Sequence, residues 1–266
     1  MLKNKLYPDF IFYMLLAIDI GNTDIVFGVY DQKWLYQWRH PSRDLDHVES
    51  AFKAKLEENS IGPEVFEKIV LSSVVPKATV PVRQILEKLT GNPVFVLTPE
   101  LFARIEMGVK KPTEIGADLV ANAYAAYQHF QQACVVVDFG TALTFTTVSE
   151  EGNILGVAIA PGLKTAMNAL FQNTAQLEMV PLEVPDSALG QNTAHALQAG
   201  ILLGYVGLVK EILGRIKAEL GVPVKVAATG GLSSVLAPLQ EYFDLTDKML
   251  TLNGLRLLVE RYGRER

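Results

Sequence analysis

Residues 15–30 read LLAIDIGNTDIVFGVY, an apolar run that ends in Asp19, a short polar turn and a second run with alternating apolar residues. This pattern predicts a β-strand, a tight connection and an antiparallel strand. Within the connection, Gly21 allows the backbone to approach a ligand closely, while Asn22 and Thr23 supply short polar side chains. The stretch therefore predicts a hairpin whose turn suits a phosphate-sized group.

The same pattern returns at residues 135–149, VVVDFGTALTFTTVS, where Asp138 and Gly140 take the places of Asp19 and Gly21. One Asp-x-Gly sequence is weak evidence, because both residues are common in ordinary turns. Two copies, separated by close to half the chain, predict two similar halves. Two such turns facing one cleft would hold a polyphosphate through amides and hydroxyls, with the aspartates placed to bind a cation.

The order of predicted elements supports this duplication. The first half gives three strands, a helix, a strand, a helix and a strand, and the second half again begins with three strands. We therefore predict an α/β fold of two similar lobes, each a mixed β-sheet flanked by helices, with the ligand cleft between them. The expected boundaries are 1–13 for an N-terminal extension, 14–130 for the first lobe and 131–266 for the second lobe with a terminal helix.

Two further helices are predicted in the second half. One covers residues 193–220, where Gly200, Gly204 and Gly207 recur at near-helical spacing. Such a face favours close packing against another helix, either within the fold or across a homodimer. The other begins near Ser233, after the pair Gly230 and Gly231. That pair either forms a tight turn or lets a nucleotide base or ribose lie against the backbone.

The composition narrows the class of protein. The chain has 266 residues and a formal net charge of −5, so it has no basic field to attract nucleic acid or an anionic membrane. The apolar run at residues 10–20 is too short to span a bilayer. Cys134 is the single cysteine and is interpreted as a buried hydrophobic residue. We expect a cytoplasmic protein whose functional start lies near Met14, with residues 1–13 dispensable.

Asp118 stands at the expected start of an alanine-rich helix, after a loop that contains Pro112 and Gly116. An aspartate at this place is commonly a helix cap. The alternative is a functional carboxylate that the helix dipole keeps charged and that points at a ligand. The sequence leaves both interpretations open.

Six short motifs occur together in a fixed order. They are DIGNT at residues 19–23, EIGAD at 114–118, DFGTALT at 138–144, APGL at 160–163, TAQL at 174–177 and ATGGL at 228–232. In order and spacing this set resembles the type III pantothenate kinases, over nearly everything from Met14 onward. The resemblance implies the actin-like, ribonuclease H-like duplicated fold of the actin, sugar kinase and Hsp70 type. It also implies phosphoryl transfer from ATP to the primary hydroxyl of pantothenate, giving 4'-phosphopantothenate in the first step of coenzyme A biosynthesis.

The resemblance also implies roles for individual residues. The loop expected to hold the ATP phosphates consists of Asp19, Ile20, Gly21, Asn22, Thr23, Asp24, Ile25 and Val26. Thr141 would also contact ATP, and Gly230 and Gly231 are candidates for the nucleotide. Asp118 would be the general base, Asp19 would lie near Mg²⁺, and Asp138 would bind the monovalent cation, K⁺ or NH₄⁺. The residues expected to line the pantothenate site are Val109, Gly116, Ala117, Asp118, Leu119 and Thr174.

The substrate half departs from the family pattern. The family usually has GADR where this chain has GADL, so Leu119 replaces an arginine that helps to hold the anionic substrate. Val109 stands where tyrosine is frequent, Val157 where glycine is common and Glu178 where proline is common. A lost charge-assisted bond corresponds to about tenfold to a hundredfold in affinity. Three functions stay open: a pantothenate kinase with weakened substrate binding, a kinase for another small alcohol, and an ATP-binding paralogue with a regulatory or scaffold role.

Overall fold

The computed structural model describes residues 14–105, 107–173 and 179–263. The strands are β1 (Met14–Ile20), β2 (Asp24–Asp31), β3 (Lys33–Pro41), β4 (Phe66–Ser73), β5 (Val94–Val96), β6 (Cys134–Phe139), β7 (Ala142–Val148), β8 (Ile154–Pro161), β9 (Lys225–Thr229) and β10 (Leu245–Thr246). The α-helices are α1 (Val48–Glu58), α2 (Pro76–Thr90), α3 (Pro99–Phe102), α4 (Ala117–Phe130), α5 (Leu163–Gln172), α6 (Thr193–Gln198), α7 (Gly204–Leu220) and α8 (Leu250–Tyr262). The expectations for residues 1–13 and for Thr174 lie outside the described residues.

The two β-sheets share one topology. The first has the strand order β3-β2-β1-β4-β5 and the second the order β8-β7-β6-β9-β10, so both follow the same sequence of neighbours. In each sheet the first three strands pair antiparallel, and the fourth and fifth strands extend the sheet in parallel. The predicted fold, two mixed sheets flanked by helices, is confirmed.

The described chain forms two compact units assembled from separate segments. One contains residues 14–98, 116–118 and 255–263, and the other contains the described parts of 99–115 and 119–254. The division expected from the sequence lies between residues 130 and 131, because it follows the order of the repeated strands. The units instead follow contacts, so α8 contributes residues to both of them.

In the first unit, alternate residues of β1 pack into a core formed with the helices. Leu16, Ile18 and Ile20 are fully buried and belong to a core that includes Phe52 of α1 and Leu86 of α2. Because successive side chains of a strand point to opposite faces, Asp19 projects away from that core. The apolar packing of one face therefore fixes the direction of the carboxylate on the other.

The second unit repeats this arrangement. Val135 and Val137 of β6 are buried in a core with Val209 and Leu213 of α7. Asp138 projects from the opposite face of β6, as Asp19 does from β1. Helix α4 packs on that opposite face, where Asn122 is hydrogen-bonded to Asp138.

The prediction of a helix that begins near Ser233 is wrong. The chain instead turns, because the backbone N–H and the hydroxyl of Ser233 both donate to the carbonyl of Gly230, at 3.3 and 2.9 Å. A side chain that bonds to nearby backbone in this way competes with helix formation. A 3₁₀ helix follows at Ala237–Tyr242, and then β10 adds a short fifth strand to the sheet.

The long helix predicted at residues 193–220 is present, although it is not uniform. It consists of α6, a π-helical segment at Ala199–Leu203 and α7. Gly200, Gly204 and Gly207 are exposed, and no described atom lies within 4 Å of a Cβ placed at any of them. Among the described helices, Thr193–Leu220 is long and apolar enough to cross a membrane, a criterion that core helices of soluble proteins also meet.

Candidate active site

The backbone of the first hairpin turn is hydrogen-bonded at its base, and the side chains at its tip are exposed. The N–H of Gly21 donates to the carbonyl of Asp24 at 3.0 Å. Buried Ser42 braces the turn from the loop after β3, since its hydroxyl donates to the Gly21 carbonyl at 2.6 Å and its N–H donates to the Thr23 carbonyl at 2.9 Å. Asn22 and Thr23 remain exposed. The turn therefore presents polar groups on a fixed backbone.

Asp19 is the penultimate residue of β1 and lies beside the adjacent strand β4. It pairs in register with Ser72, which is fully buried, and the Ser72 hydroxyl donates to Oδ1 of Asp19 at 2.5 Å. A hydrogen bond to a carboxylate is stronger than one between neutral groups. Ser72 thus orients the aspartate at the mouth of the turn.

The second hairpin turn is one residue shorter than the first. Gly140 and Thr141 connect β6 to β7, whereas Gly21, Asn22 and Thr23 connect β1 to β2. The N–H of Gly140 donates to the carbonyl of Ala142 at 3.1 Å. The carbonyl of Thr141 accepts from the N–H of Gly162 at 3.0 Å and from the hydroxyl of Thr165 at 2.6 Å. The exposed side chain of Thr141 is therefore carried by a braced backbone.

Gly162 belongs to the APGL motif, and the structure explains why a glycine stands there. A Cβ at Gly162 would collide with the carbonyl groups of Gly140 and Thr141. The start of α5 thus lies directly against the second turn. This contact places the APGL motif at the candidate site.

Asp138 is held from two sides. The Nδ2 of Asn122 donates to its Oδ2 at 3.0 Å. On the other side, Gly230 has a φ of +88°, and a Cβ there would lie 2.6 Å from Oδ1 of Asp138. At Gly231, by contrast, no described atom lies within 4 Å of such a Cβ. Of the two glycines, only Gly230 makes a close approach, which is to the Asp138 carboxylate and to the backbone of Phe139.

Asp118 lies in the first turn of α4, which begins at Ala117. A carboxylate in that turn is stabilised by the helix dipole. A Cβ at Gly116 would collide with Oδ1 of Asp118 and would lie 3.3 Å from Cγ1 of Val74. Glycine at 116 therefore leaves room for the carboxylate to fold back over the start of the helix.

The predicted site residues are divided between the two compact units. The first unit contains residues 19–26 together with Gly116, Ala117 and Asp118, and the second contains Val109, Leu119, Asp138, Thr141, Gly230 and Gly231. Val109 and Leu119 are half-buried. In the described parts of the chain, no cluster of three or more His, Cys, Asp or Glu side chains is arranged to hold a metal.

Sequence reasoning missed the buried polar residues that support the two aspartates. Ser72 follows the apolar run of β4, and Asn122 interrupts an alanine-rich stretch of α4. Both are fully buried. A lone polar residue within an apolar segment was the available signal, because buried polar groups are nearly always hydrogen-bonded to a partner.

Cys134 is buried and is a poor candidate for a nucleophile. It is buried at the start of β6, and burial raises the pKa of its thiol to about 12. The thiolate is the reactive form of cysteine, so this side chain is a poor nucleophile at neutral pH. The interpretation of Cys134 as a buried hydrophobic residue is confirmed.

Comparison with known proteins decides the family. The family described as Type III pantothenate kinase matches residues 15–215 of this chain. The chain belongs to the type III pantothenate kinase family. A relative of that name from Myxococcus xanthus (strain DK1622) is 41% identical over 260 residues, covering 94% of this chain and 98% of the relative. A second, from Geobacter sulfurreducens, is 39% identical over 256 residues, covering 93% and 99%.

Solved structures with low sequence identity share the fold of this type III pantothenate kinase family member. MreB 5 of Spiroplasma citri, bound to AMPPNP, superposes with a TM-score of 0.54 at 8% identity and covers 97% of this chain and 98% of its own. The ethanolamine utilization protein EutJ from Carboxydothermus hydrogenoformans gives 0.53 at 14% identity, covering 96% and 92%. The predicted family, the kinase class and the actin-like fold are thus confirmed.

Proposed function

We propose that this chain transfers a phosphoryl group from ATP to the primary hydroxyl of pantothenate, giving 4'-phosphopantothenate for coenzyme A biosynthesis. Membership of the type III pantothenate kinase family carries the proposal. The presence of Asp19, Asp118 and Asp138 at the family's motif positions agrees with it. A scaffold protein has no need to keep all three carboxylates.

The first turn, residues 19–26, is proposed to hold the ATP phosphates, with Thr141 as a second contact. Phosphoryl transfer depends mainly on positioning and on neutralising charge, so donors fixed before the substrate arrives are effective. Ser42 supplies that preorganisation by fastening the backbone of the turn at two points. The AMPPNP bound to MreB 5, a protein of the same fold, supports nucleotide binding here.

Asp118 is proposed to be the general base that accepts the proton of the pantothenate hydroxyl. A base must lie within hydrogen-bond reach of that proton, so its position has to be defined. The first turn of α4 and the adjacent Gly116 define the position of this carboxylate. The cap interpretation of Asp118 is wrong, because α4 begins at Ala117 and Asp118 is the second residue of the helix, after the N-cap position.

The donors around the two remaining aspartates fit two different cations. Mg²⁺ is commonly held by one or two carboxylates together with phosphate oxygens and waters, and Asp19 supplies such a carboxylate. Opposite Asp138 on β7, Thr144 has a buried hydroxyl without a hydrogen-bond partner among the described residues. Directly paired residues of antiparallel strands share a face, so this oxygen and the carboxylate suit K⁺ or NH₄⁺. The bound cations would neutralise charge on the phosphates.

The pantothenate side is proposed to involve Val109, Gly116, Ala117 and Leu119, and Thr174 outside the described residues. Leu119 is half-buried and carries no charge for the carboxylate of pantothenate. We therefore expect weaker substrate binding than in relatives with arginine. The alternatives are a kinase for another small alcohol and an ATP-binding paralogue with little activity, and the family match favours neither of them.

Two exposed apolar surfaces of the second unit support the proposal of a homodimer. The edge strand β8 exposes Leu155 and Ile159, with relative exposures of 44% and 70%. The glycine-bearing face of the long helix, at Gly200, Gly204 and Gly207, is also open. A second copy of the chain would bury these surfaces. We further propose a cytoplasmic location with neither nucleic acid nor membrane as a partner, in line with the net charge of −5.

The test is ATP turnover by the purified chain with and without pantothenate, in Mg²⁺ with K⁺ or NH₄⁺, against the same buffer with Na⁺. Turnover that requires both pantothenate and K⁺ or NH₄⁺ supports the proposal. Nucleotide binding without pantothenate-dependent turnover would favour the alternatives. Asp118→Asn should lose phosphorylation while it still binds ATP, and unchanged turnover would overturn its role as the base.

A further inference from the structure

Asn122 is an amide buried where the surrounding helix is apolar. It lies on α4 within the stretch VANAYAA and has no exposed surface. Its Nδ2 donates to Oδ2 of Asp138 at 3.0 Å, and its Oδ1 accepts from the hydroxyl of Thr251 at 2.8 Å. Three polar side chains from α8, α4 and β6 thus form one line of hydrogen bonds inside the second unit.

The chemistry of Asp138 and Thr251 determines which end of the Asn122 amide faces each of them. An ionised carboxylate only accepts hydrogen bonds, so the amide must turn its NH₂ group toward Asp138. The Thr251 hydroxyl then donates to the amide oxygen and opposes a flip of the side chain. Thr251 acts on the carboxylate through Asn122 and does not touch it in this line.

The backbone holds the two helices close enough for this contact. A Cβ at Gly254 would collide with the carbonyl and Cα of Ala121, so α8 and α4 are in direct backbone contact there. Ala121 precedes Asn122, and Thr251 lies three residues before Gly254 on the same side of its helix. The glycine therefore brings the Thr251 hydroxyl within reach of the amide.

We propose that Asn122 and Thr251 are positioning residues that hold the Asp138 carboxylate in the orientation needed to bind the monovalent cation. The inference rests on the proposed function, because that proposal assigns the cation to Asp138. With Oδ2 engaged by Asn122 and Oδ1 lying against Gly230, the carboxylate has little freedom to rotate. Such preorganisation lowers the entropy lost when a ligand binds.

Three variants test the hydrogen bonds that join Thr251, Asn122 and Asp138. Asn122→Leu keeps a similar size but removes both bonds, and we expect the K⁺ concentration for half-maximal turnover to rise about tenfold or more. Thr251→Val removes only the outer bond and should raise that concentration about fivefold. Thr251→Ser keeps the hydroxyl and should behave like the unmodified chain.

Thr146→Val is the matched control. Thr146 lies on the same face of β7 as Thr144, and its buried hydroxyl makes no hydrogen bond among the described residues. This variant removes the same chemical group as Thr251→Val from a buried position on a strand of the same unit. It should leave the K⁺ dependence unchanged.

A second readout does not depend on turnover. A ligand that binds only the folded state raises the temperature of unfolding, so replacing choline chloride by KCl at constant ionic strength should stabilise the unmodified chain. The K⁺-dependent rise should shrink in Asn122→Leu and Thr251→Val and persist in Thr146→Val. If Asn122→Leu does not fold, the positioning role is tested by comparing the K⁺ dependence of Thr251→Val with that of Thr251→Ser.

The outcomes separate this inference from the proposed function. If the unmodified chain phosphorylates pantothenate in a K⁺-dependent way but the Thr251 and Asn122 variants keep its K⁺ dependence, the positioning role is overturned alone. If Thr146→Val shifts the K⁺ dependence as much as Thr251→Val, the role is likewise overturned. If the unmodified chain shows no K⁺ effect in either readout, the cation assignment fails and the inference falls with it.

Discussion

The hydroxyl of Ser72 donates a hydrogen bond to Oδ1 of Asp19 at 2.5 Å, from a position with no exposed surface. Because the bond ends on a carboxylate and is shielded from water, its loss is more serious than that of a surface hydrogen bond. We expect Ser72→Ala to raise the KM for ATP about tenfold, because the carboxylate proposed to face Mg²⁺ loses its orientation. Steady-state kinetics over a range of Mg²⁺ concentrations measures this effect.

The neighbouring serine provides the control for Ser72. Ser73 accepts hydrogen bonds from the N–H of Val75 and the hydroxyl of Thr79, at 3.1 and 2.8 Å, at the start of α2. Ser73→Ala should lower the free energy of unfolding by about 1 kcal/mol and leave the KM for ATP unchanged. Equal changes in KM from both variants would contradict the role of Ser72.

The glycine pair after β9 gives a second prediction. Gly230→Ala forces a left-handed backbone on alanine and places a Cβ against Asp138, so we expect a loss of about 2 kcal/mol or more in stability, together with weaker cation binding. Gly231→Ala meets no described atom within 4 Å and should change the unfolding free energy by less than about 1 kcal/mol. Urea unfolding of both variants measures the difference. Similar losses in the two would rule out the contact as the cause.

Cys134 allows a test of the second core. Burial raises the pKa of its thiol to about 12, so the reactive thiolate is scarce at pH 8. We expect iodoacetamide to leave the native chain unlabelled over a time in which it fully labels the chain in guanidinium chloride. Mass spectrometry counts the adducts, and there is a single cysteine to follow. Rapid labelling of the native chain at pH 8 would show that β6 is less protected than the structure indicates.

The fold followed from the sequence where local pattern and burial agree. Asp19 and Asp138 are the penultimate residues of two apolar strands, β1 and β6, which take equivalent places in two sheets of the same topology, as the repeated pattern predicts. The helix expected near Ser233 does not form there, because the Ser233 hydroxyl donates to the carbonyl of Gly230. This local hydrogen bond competes with helix formation, and the apolar residues that follow give no sign of it. Local side-chain bonding outweighed the pattern there.

The residues that hold the two aspartates in place could not be predicted from the sequence, for a different reason. Asn122 and Thr251 are 129 residues apart, and they meet only because Gly254 lets two helices touch. Ser72 and Asp19 are 53 residues apart and are brought together by the parallel pairing of β1 with β4. The residues proposed to meet ligands were identifiable from motifs, whereas those that hold them in place depend on tertiary contacts.

Leu119 gives the sharpest test of the substrate. Arginine at this place would offer the carboxylate of pantothenate a charge-assisted, bidentate partner, which half-buried Leu119 does not. If the chain is a pantothenate kinase with weakened binding, Leu119→Arg should lower the KM for pantothenate about tenfold and leave the KM for ATP nearly unchanged. Leu119→Met, which keeps an apolar side chain of similar size, should resemble the unmodified chain and so separates charge from shape. An unchanged KM for pantothenate in Leu119→Arg would instead point to another alcohol as the substrate.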